Sequence, residues 1–163
     1  MIRARGGDRS AFEALHDRYA RVVHGVLLAK VPPGIASDLV QDTFVAVLER
    51  LGGLRDEGAF GGWVLAIARN LATDWHRSSR KVVALDEVPE RGAEPRPTAE
   101  AEQVLAAIRA LPETYAVPLT LRLVEGLTGP EIAERLGMTP GSVRVNLHKG
   151  MKRLREELGV ADE

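Results

Sequence analysis

The segment from residue 127 to 154, LTGPEIAERLGMTPGSVRVNLHKGMKRL, places the strongest constraint on how this chain folds. Thr128 is a hydroxyl N-cap, Pro130 lies in the first turn, and Glu131 completes a capping box, so a short helix is predicted to begin there. Gly137 is predicted to end that helix, because glycine readily adopts the left-handed conformation that a sharp turn needs.

A second helix is predicted to start directly after this turn, with Thr139 as N-cap and Pro140 in the first helical position. Its apolar residues recur every three or four positions and form an inward face: Val143, Leu147, Met151, Leu154 and Leu158. Two short helices joined by a tight turn form a helix-turn-helix, which indicates DNA binding.

The second helix is also strongly basic. Residues 140–155 contain five basic and no acidic side chains, although the whole chain has a net charge of −1. Such a local concentration predicts a surface that contacts phosphates. The alternative is an ordinary amphipathic helix whose charges are only solvated.

Composition indicates an all-α protein. Aromatic residues make up 4% of the chain, so the cores must be built from Leu, Val, Ala and Ile.

The chain has no cysteine, which excludes disulfides and thiolate metal sites and favours a reducing cytoplasm. We expect no signal peptide and no direct membrane insertion, because the charged N-terminus is not followed by a long apolar segment.

A proline-rich segment divides the chain into two lobes. Residues 79–99, which include Pro89, Pro95 and Pro97, are predicted to form a flexible linker. The linker separates a first domain, residues 8–78, from a second, residues 100–159, and we expect it to let the two domains change their relative position.

Both lobes are predicted to be helical. Ser10 is expected to cap a first helix that ends before Pro32, and Ser37 a second helix whose inward face includes Phe44 and Leu48. A third helix is expected from Trp63 to about residue 76, after a glycine-rich loop. In the second lobe, helices are expected near residues 100–111, 113–125, 129–136 and 140–158.

Three segments together resemble the extracytoplasmic-function (ECF) group of sigma-70 family RNA polymerase sigma factors. DLVQDTFVAVLER, residues 38–50, resembles region 2.2, and FGGWVLAIARNLATDWHR, residues 60–77, resembles regions 2.3 and 2.4. Residues 111–158 resemble region 4. The resemblance implies an alternative sigma factor that binds core RNA polymerase and directs promoter recognition and transcription initiation.

The resemblance implies a polymerase-binding surface at region 2.2. The matching residues are Asp38, Gln41, Asp42 and Phe44, which present carboxylates and an amide beside an apolar anchor. A basic coiled coil is a suitable partner for such a surface. The alternative is that Phe44 belongs to the core and that the acids are only solvated.

The resemblance assigns the −10 promoter element to the first lobe. Trp63, Ile67, Asn70, Asp74 and Arg77 fit the family spacing W-x-x-x-I-x-x-N-x-x-x-D-x-x-R. Asn70 can read a base edge, while Arg69 and Arg77 can hold phosphate and the loop of residues 52–59 can fold around a flipped base. Trp63 is expected to contact DNA or, alternatively, to be a core aromatic. Asp74 is expected to be a structural cap or to pair with a neighbouring arginine.

The resemblance assigns the −35 element to the second lobe, through Thr139, Ser142, Arg144, Asn146, Lys149 and Arg153. The string from Ser142 to Asn146 departs from the common family pattern, in which a basic residue occupies the last position. An amide there favours adenine over a guanine or phosphate contact.

Two other classes of protein compete with this interpretation. A helix-turn-helix transcriptional regulator that does not replace the sigma subunit would share the second lobe but would not need the two patterns in the first. An enzyme is disfavoured because the four histidines are scattered and no catalytic motif is present. We therefore expect no catalytic residues, metal or cofactor, and expect core RNA polymerase, promoter DNA and an anti-sigma factor as partners.

Overall fold

The computed structural model describes Ala4, residues 6–83 and residues 97–160. Within these ranges it contains seven α-helices and no strand, which confirms the predicted all-α class. Lobe one contains α1 (Arg9–Leu28), α2 (Pro33–Arg50) and α3 (Phe60–Val83), with short 3-10 turns at Leu51–Gly53 and Glu57–Ala59 between the last two. Lobe two contains α4 (Ala99–Ala110), α5 (Glu113–Leu123), α6 (Gly129–Leu136) and α7 (Pro140–Leu158).

Two predicted helix starts in lobe one are wrong. The N-cap of α1 is Asp8 rather than Ser10, and its carboxylate accepts from the backbone N–H groups of Ser10 and Ala11 at 3.0 and 3.3 Å. A hydrogen bond from the Ser10 hydroxyl at 2.8 Å, together with these two, holds the pKa of Asp8 below its usual range. Helix α2 begins at Pro33 rather than after Ser37, because a proline has the φ angle that the first helical position requires.

The third helix continues beyond its predicted end near residue 76. Helix α3 reaches Val83 and therefore includes the first residues that the sequence assigned to the linker. No glycine or proline interrupts this stretch. The positive charges of Arg80 and Lys81 in the last turn stabilise the helix by interacting with the negative end of its dipole. Of the rest of the predicted linker, residues 84–96 lie outside the described residues, and Ala99 already begins α4 with Thr98 as its N-cap.

The apolar core runs through both lobes without a break. Val23 and Val26 of α1, Val64 of α3, and Leu119 and Leu121 of α5 all have no exposed side-chain surface. The two lobes therefore pack against each other, chiefly through α1 and α5. Among the described residues, no helix is long and apolar enough to cross a membrane.

Candidate nucleic-acid interface

The turn between α6 and α7 has the predicted geometry. The Thr128 hydroxyl accepts from the Glu131 backbone N–H at 3.4 Å, and the Glu131 carboxylate accepts from the Thr128 backbone N–H at 2.7 Å. Hydrogen bonds from Thr128 hold the pKa of Glu131 below its usual range. Gly137 ends the helix in the left-handed conformation, with φ 65° and ψ 33°. The predicted bounds of both helices are confirmed.

Helix α7 is fixed to lobe two along one side. Val143 and Leu154 are buried, and Leu147, Met151 and Leu158 pack at the edge of the core. Gly150 permits the closest approach, because a Cβ atom there would lie 3.1 Å from Cδ1 of Leu119. The opposite side of the helix therefore faces outward as a rigid surface.

The structure brings most of the predicted −35 residues onto this outward surface. Arg144 and Lys149 are exposed, and Thr139 and Ser142 are exposed at the N-terminus of α7, where their hydroxyl groups hydrogen-bond each other at 2.8 Å. The guanidinium of Arg153 lies 5.1 Å from the centre of the Tyr115 ring.

Asn146 differs from the other predicted −35 residues. It is half-buried, and its Nδ2 donates to the Thr114 hydroxyl of α5 at 3.4 Å. Val145 is 46% exposed and lies about 200° around the helix from the buried Val143, near the centre of the outward face. Sequence reasoning omitted Val145, although an exposed valine amid polar residues can contact a thymine methyl group.

In lobe one, Trp63 is half-buried and its ring centre lies 5.9 Å from that of Phe60, so it packs at the edge of the core. Asn70 is exposed on α3. The preceding loop is exposed at Gly52 and Gly53, where a Cβ atom would meet nothing within 4 Å.

The two predicted phosphate-binding arginines of α3 both contact carboxylates. Arg77 is exposed and pairs with Asp74 at 3.6 Å, which confirms the predicted partner of Asp74. Arg69 is half-buried, and its Nε lies 2.6 Å from Oε1 of Glu113, at the start of α5 in lobe two. Arg69 is therefore directed at the other lobe rather than along the face that carries Asn70.

The predicted polymerase-binding residues divide into two groups. Gln41 and Asp42 are exposed and Asp38 is half-buried, as a contact surface requires. Phe44 is only 4% exposed, with its ring centre 4.5 Å from that of His16, so it belongs to the core and the prediction that it anchors a partner is wrong. Leu48, predicted to point inward, is 58% exposed. Leu48 and the equally exposed Val45 supply the apolar part of this surface.

A seam between the lobes, which sequence reasoning missed, is built around Gly25. A Cβ atom at this position would lie 2.5 Å from Cδ2 of Leu121, so only glycine allows α1 to approach α5 this closely. The Thr120 hydroxyl donates to the Gly25 carbonyl at 2.7 Å. An interior helical glycine costs about 1 kcal/mol relative to alanine. Gly25 was therefore a sign of close packing in the sequence, although it did not identify the partner helix.

Polar and ionic contacts flank this close approach, with basic side chains from lobe one and carboxylates from lobe two. Arg18 pairs with Glu134 at 3.1 Å, and His24 contacts the Glu125 carboxylate. The Glu113 carboxylate accepts from Lys30 at 2.7 Å through one oxygen and from Arg69 through the other. Burial alone would raise the pKa of Glu113, but the hydrogen bonds and charges of Lys30 and Arg69 outweigh it and hold that pKa below its usual range.

Two helical lobes, one of which presents the basic helix of a helix-turn-helix, define a DNA-binding protein of transcription. Residues 15–82 match the family described as Sigma-70 region 2, and residues 101–154 match Sigma-70, region 4. The chain is 34% identical to the RNA polymerase sigma factor CarQ of Myxococcus xanthus, over 98% of this chain and 95% of that protein. It therefore belongs to the ECF group of sigma-70 family RNA polymerase sigma factors.

Other relatives agree with this assignment. The ECF RNA polymerase sigma factor ShbA of Streptomyces griseus is 37% identical over 72% of this chain and 69% of its own length. The fold is similar to that of CnrH, solved in complex with the cytosolic domain of CnrY, with a TM-score of 0.60, 23% identity, and coverage of 97% of this chain and 94% of that one. The chain is thus an alternative sigma factor that directs RNA polymerase to promoters, and sigma factors are non-catalytic initiation factors.

Proposed function

We propose that the outward face of α7 reads the −35 element, with Arg144 and Val145 at base edges and Lys149 on phosphate. The observation that carries this proposal is the pair of caps at Thr128 and Thr139, which orients a basic, exposed helix face on a rigid support. Base edges are read from the major groove by a helix held in this way. Thr139 and Ser142 lie at the N-terminus of α7, where exposed hydroxyl groups can contact the DNA backbone.

In lobe one, Asn70 reads a base of the −10 element, while Arg69 and Arg77 hold the adjoining phosphates. Trp63 supports the helix from the edge of the core and leaves the glycine-rich loop to fold around an unpaired base. The surface of Asp38, Gln41 and Asp42, with Val45 and Leu48 as its apolar part, binds core polymerase.

An anti-sigma factor is the third partner in this proposal. The support is that the sigma factor RpoE of Bartonella quintana, a structural neighbour with 18% identity and a TM-score of 0.58, was solved with the anti-sigma factor NepR. CnrH was likewise solved with a second protein, the cytosolic domain of CnrY. The polymerase performs the chemistry, so the chain needs no catalytic residue or cofactor of its own. It acts where the polymerase works, in the cytoplasm.

Reconstituted transcription tests the proposal. Core polymerase with the purified chain is used to select active promoters from a randomised template library, and the selected −10 and −35 elements are then varied. We expect transcription that depends on both elements and on the added chain. Specific, tight DNA binding by the chain without polymerase, together with no gain in transcription, would instead indicate a regulator that does not replace the sigma subunit.

Paired variants locate the polymerase surface. Leu48→Asp places a charge on the exposed apolar part of that surface and should weaken polymerase binding at least tenfold. Val160→Asp is the matched control, because Val160 is equally exposed, at 56%, but lies beyond the end of α7. Equal effects of the two substitutions would place the polymerase surface elsewhere.

A further inference from the structure

Two cations of lobe one converge on a single carboxylate of lobe two. Lys30, which follows α1, reaches Oε2 of Glu113 at 2.7 Å, and Arg69 of α3 reaches Oε1 at 2.6 Å. Their nitrogen atoms are therefore spaced to hold two oxygens of one anion. A phosphate group presents a similar pair of oxygens to such donors.

Contacts within lobe one hold Lys30 and Arg69 close to each other. His76 of α3 donates from Nε2 to the Lys30 carbonyl at 2.7 Å, which ties the backbone of Lys30 to the same helix that carries Arg69. If α5 moves away, both cations remain side by side without the Glu113 charge. In the packed arrangement these side chains are 24% and 38% exposed. Departure of α5 exposes them further and leaves two neighbouring positive charges without a counter-ion. A second anion is then the simplest replacement.

The location of this pair identifies the class of anion. Arg69 and Asn70 lie on the same turn of α3 but point to different faces of it. Arg69 is nevertheless one of the two arginines proposed to hold the phosphates beside the −10 base that Asn70 reads. Phosphate oxygens are the groups to which proteins most often hydrogen-bond in DNA.

We propose that Lys30 and Arg69 form one binding site for a DNA backbone phosphate, and that the Glu113 carboxylate occupies this site while the lobes are packed together. This inference rests on the proposed function and adds Lys30 to its DNA contacts. Exchange of Glu113 for a phosphate links promoter binding to separation of α5 from lobe one, since the two anions compete for the same cations.

The sign of two substitutions tests the exchange. In holoenzyme on a selected promoter, Glu113→Gln removes the competing charge and should strengthen binding, whereas Lys30→Gln removes a phosphate contact and should weaken it. Each phosphate contact contributes a slope of about 0.9 in a plot of log affinity against log salt. Lys30→Gln should therefore reduce that slope by about 1, which equals about a 3.5-fold change between 50 and 200 mM salt.

Control variants separate the competing explanations. Arg69→Gln should act like Lys30→Gln, while Arg9→Gln should change nothing, because Arg9 is exposed and pairs only locally with Glu13. If the two cations only fasten the lobes, Lys30→Gln and Glu113→Gln will both loosen the seam and change promoter binding in the same direction, which overturns the inference. A separate outcome, in which the wild-type chain supports no transcription at all, would contradict the proposed function itself.

Discussion

Helices α7 and α3, the proposed DNA-reading helices of the two lobes, differ in what their basic side chains contact. On α7, Arg144, Lys149 and Lys152 have no carboxylate partner among the described residues, and the helix face is exposed. On α3, Arg77 pairs with Asp74, and Arg69 pairs with Glu113 of the other lobe. Most of the proposed −35 residues are thus exposed without a carboxylate partner, whereas both arginines proposed for the −10 element contact the chain's own acids.

This difference follows from how each helix is held. The inner side of α7 packs entirely within lobe two, so its outer side is independent of lobe one. Helix α3 packs against α1 and α2 but also meets the start of α5 through Arg69. If these helices bind the promoter as proposed, binding by lobe one is coupled to the arrangement of the lobes through Arg69, whereas the outward face of α7 makes no such contact within the described part of the chain.

The largest effect is expected from a substitution in the core of lobe two, which supports the inner side of α7. Ile132 of α6 is fully buried, and Ile132→Ala should lower the free energy of unfolding of this lobe by about 2–5 kcal/mol and abolish use of the −35 element. Val145→Ala, at an exposed site, is the matched control and should leave stability within about 0.5 kcal/mol. Chemical denaturation measures both. Leu147→Ala should cost less than Ile132→Ala because Leu147 is only half-buried.

A second test examines the outward face itself. Arg144→Ala should cost about 1–3 kcal/mol at particular −35 bases if its guanidinium reads a base edge. Lys149→Ala should weaken binding by a similar factor at every sequence and flatten the salt dependence. Binding of holoenzyme to a set of single-base promoter variants distinguishes the two patterns. Identical patterns for both substitutions would show that neither residue reads a base.

The third test separates the lobes without touching a charge. Gly25→Ala introduces a methyl group 2.5 Å from Cδ2 of Leu121, and such overpacking costs about 1–3 kcal/mol. We expect the seam to open while each lobe keeps its helices, as distance measurements and circular dichroism would report. Gly62→Ala is the control, because a Cβ atom at this helical position meets nothing within 4 Å. An unchanged distance would mean that the seam tolerates the extra group.

The smallest expected effect is a pH dependence of the seam. Glu113 has a lowered pKa in the packed arrangement, so its contribution is complete above its ordinary value of 4.5 and is lost as the pH falls below it. As the pH falls from 4.5 through this lowered pKa, the wild type should therefore loosen more than Glu113→Gln, which lacks the titrating group. If the seam loosens equally in both proteins, carboxylates other than Glu113 cause the change.

The sequence predicted the helix-turn-helix most accurately because its caps, turn and periodicity are local. The bounds of α6 and α7 are confirmed, whereas α1 and α2 begin elsewhere because Asp8 and Pro33 compete successfully with the serines as start signals. Periodicity correctly placed Phe44 on the inward face of α2 but misplaced Leu48, since it does not say which edge of the apolar stripe α1 covers. The seam could not be predicted, because Gly25 and Glu113 are far apart in sequence and neither belongs to a motif.

The distance between the lobes tests the central claim most directly. The chain has no cysteine, so Ser10→Cys and Glu157→Cys, both at exposed sites, would give two unique positions for spin labels in a single protein. In the free protein the distance distribution should match the packed arrangement, and on promoter-bound holoenzyme it should shift to longer values. An identical, narrow distribution in both states would show that lobe one binds DNA with Glu113 still on Arg69, and would contradict the account.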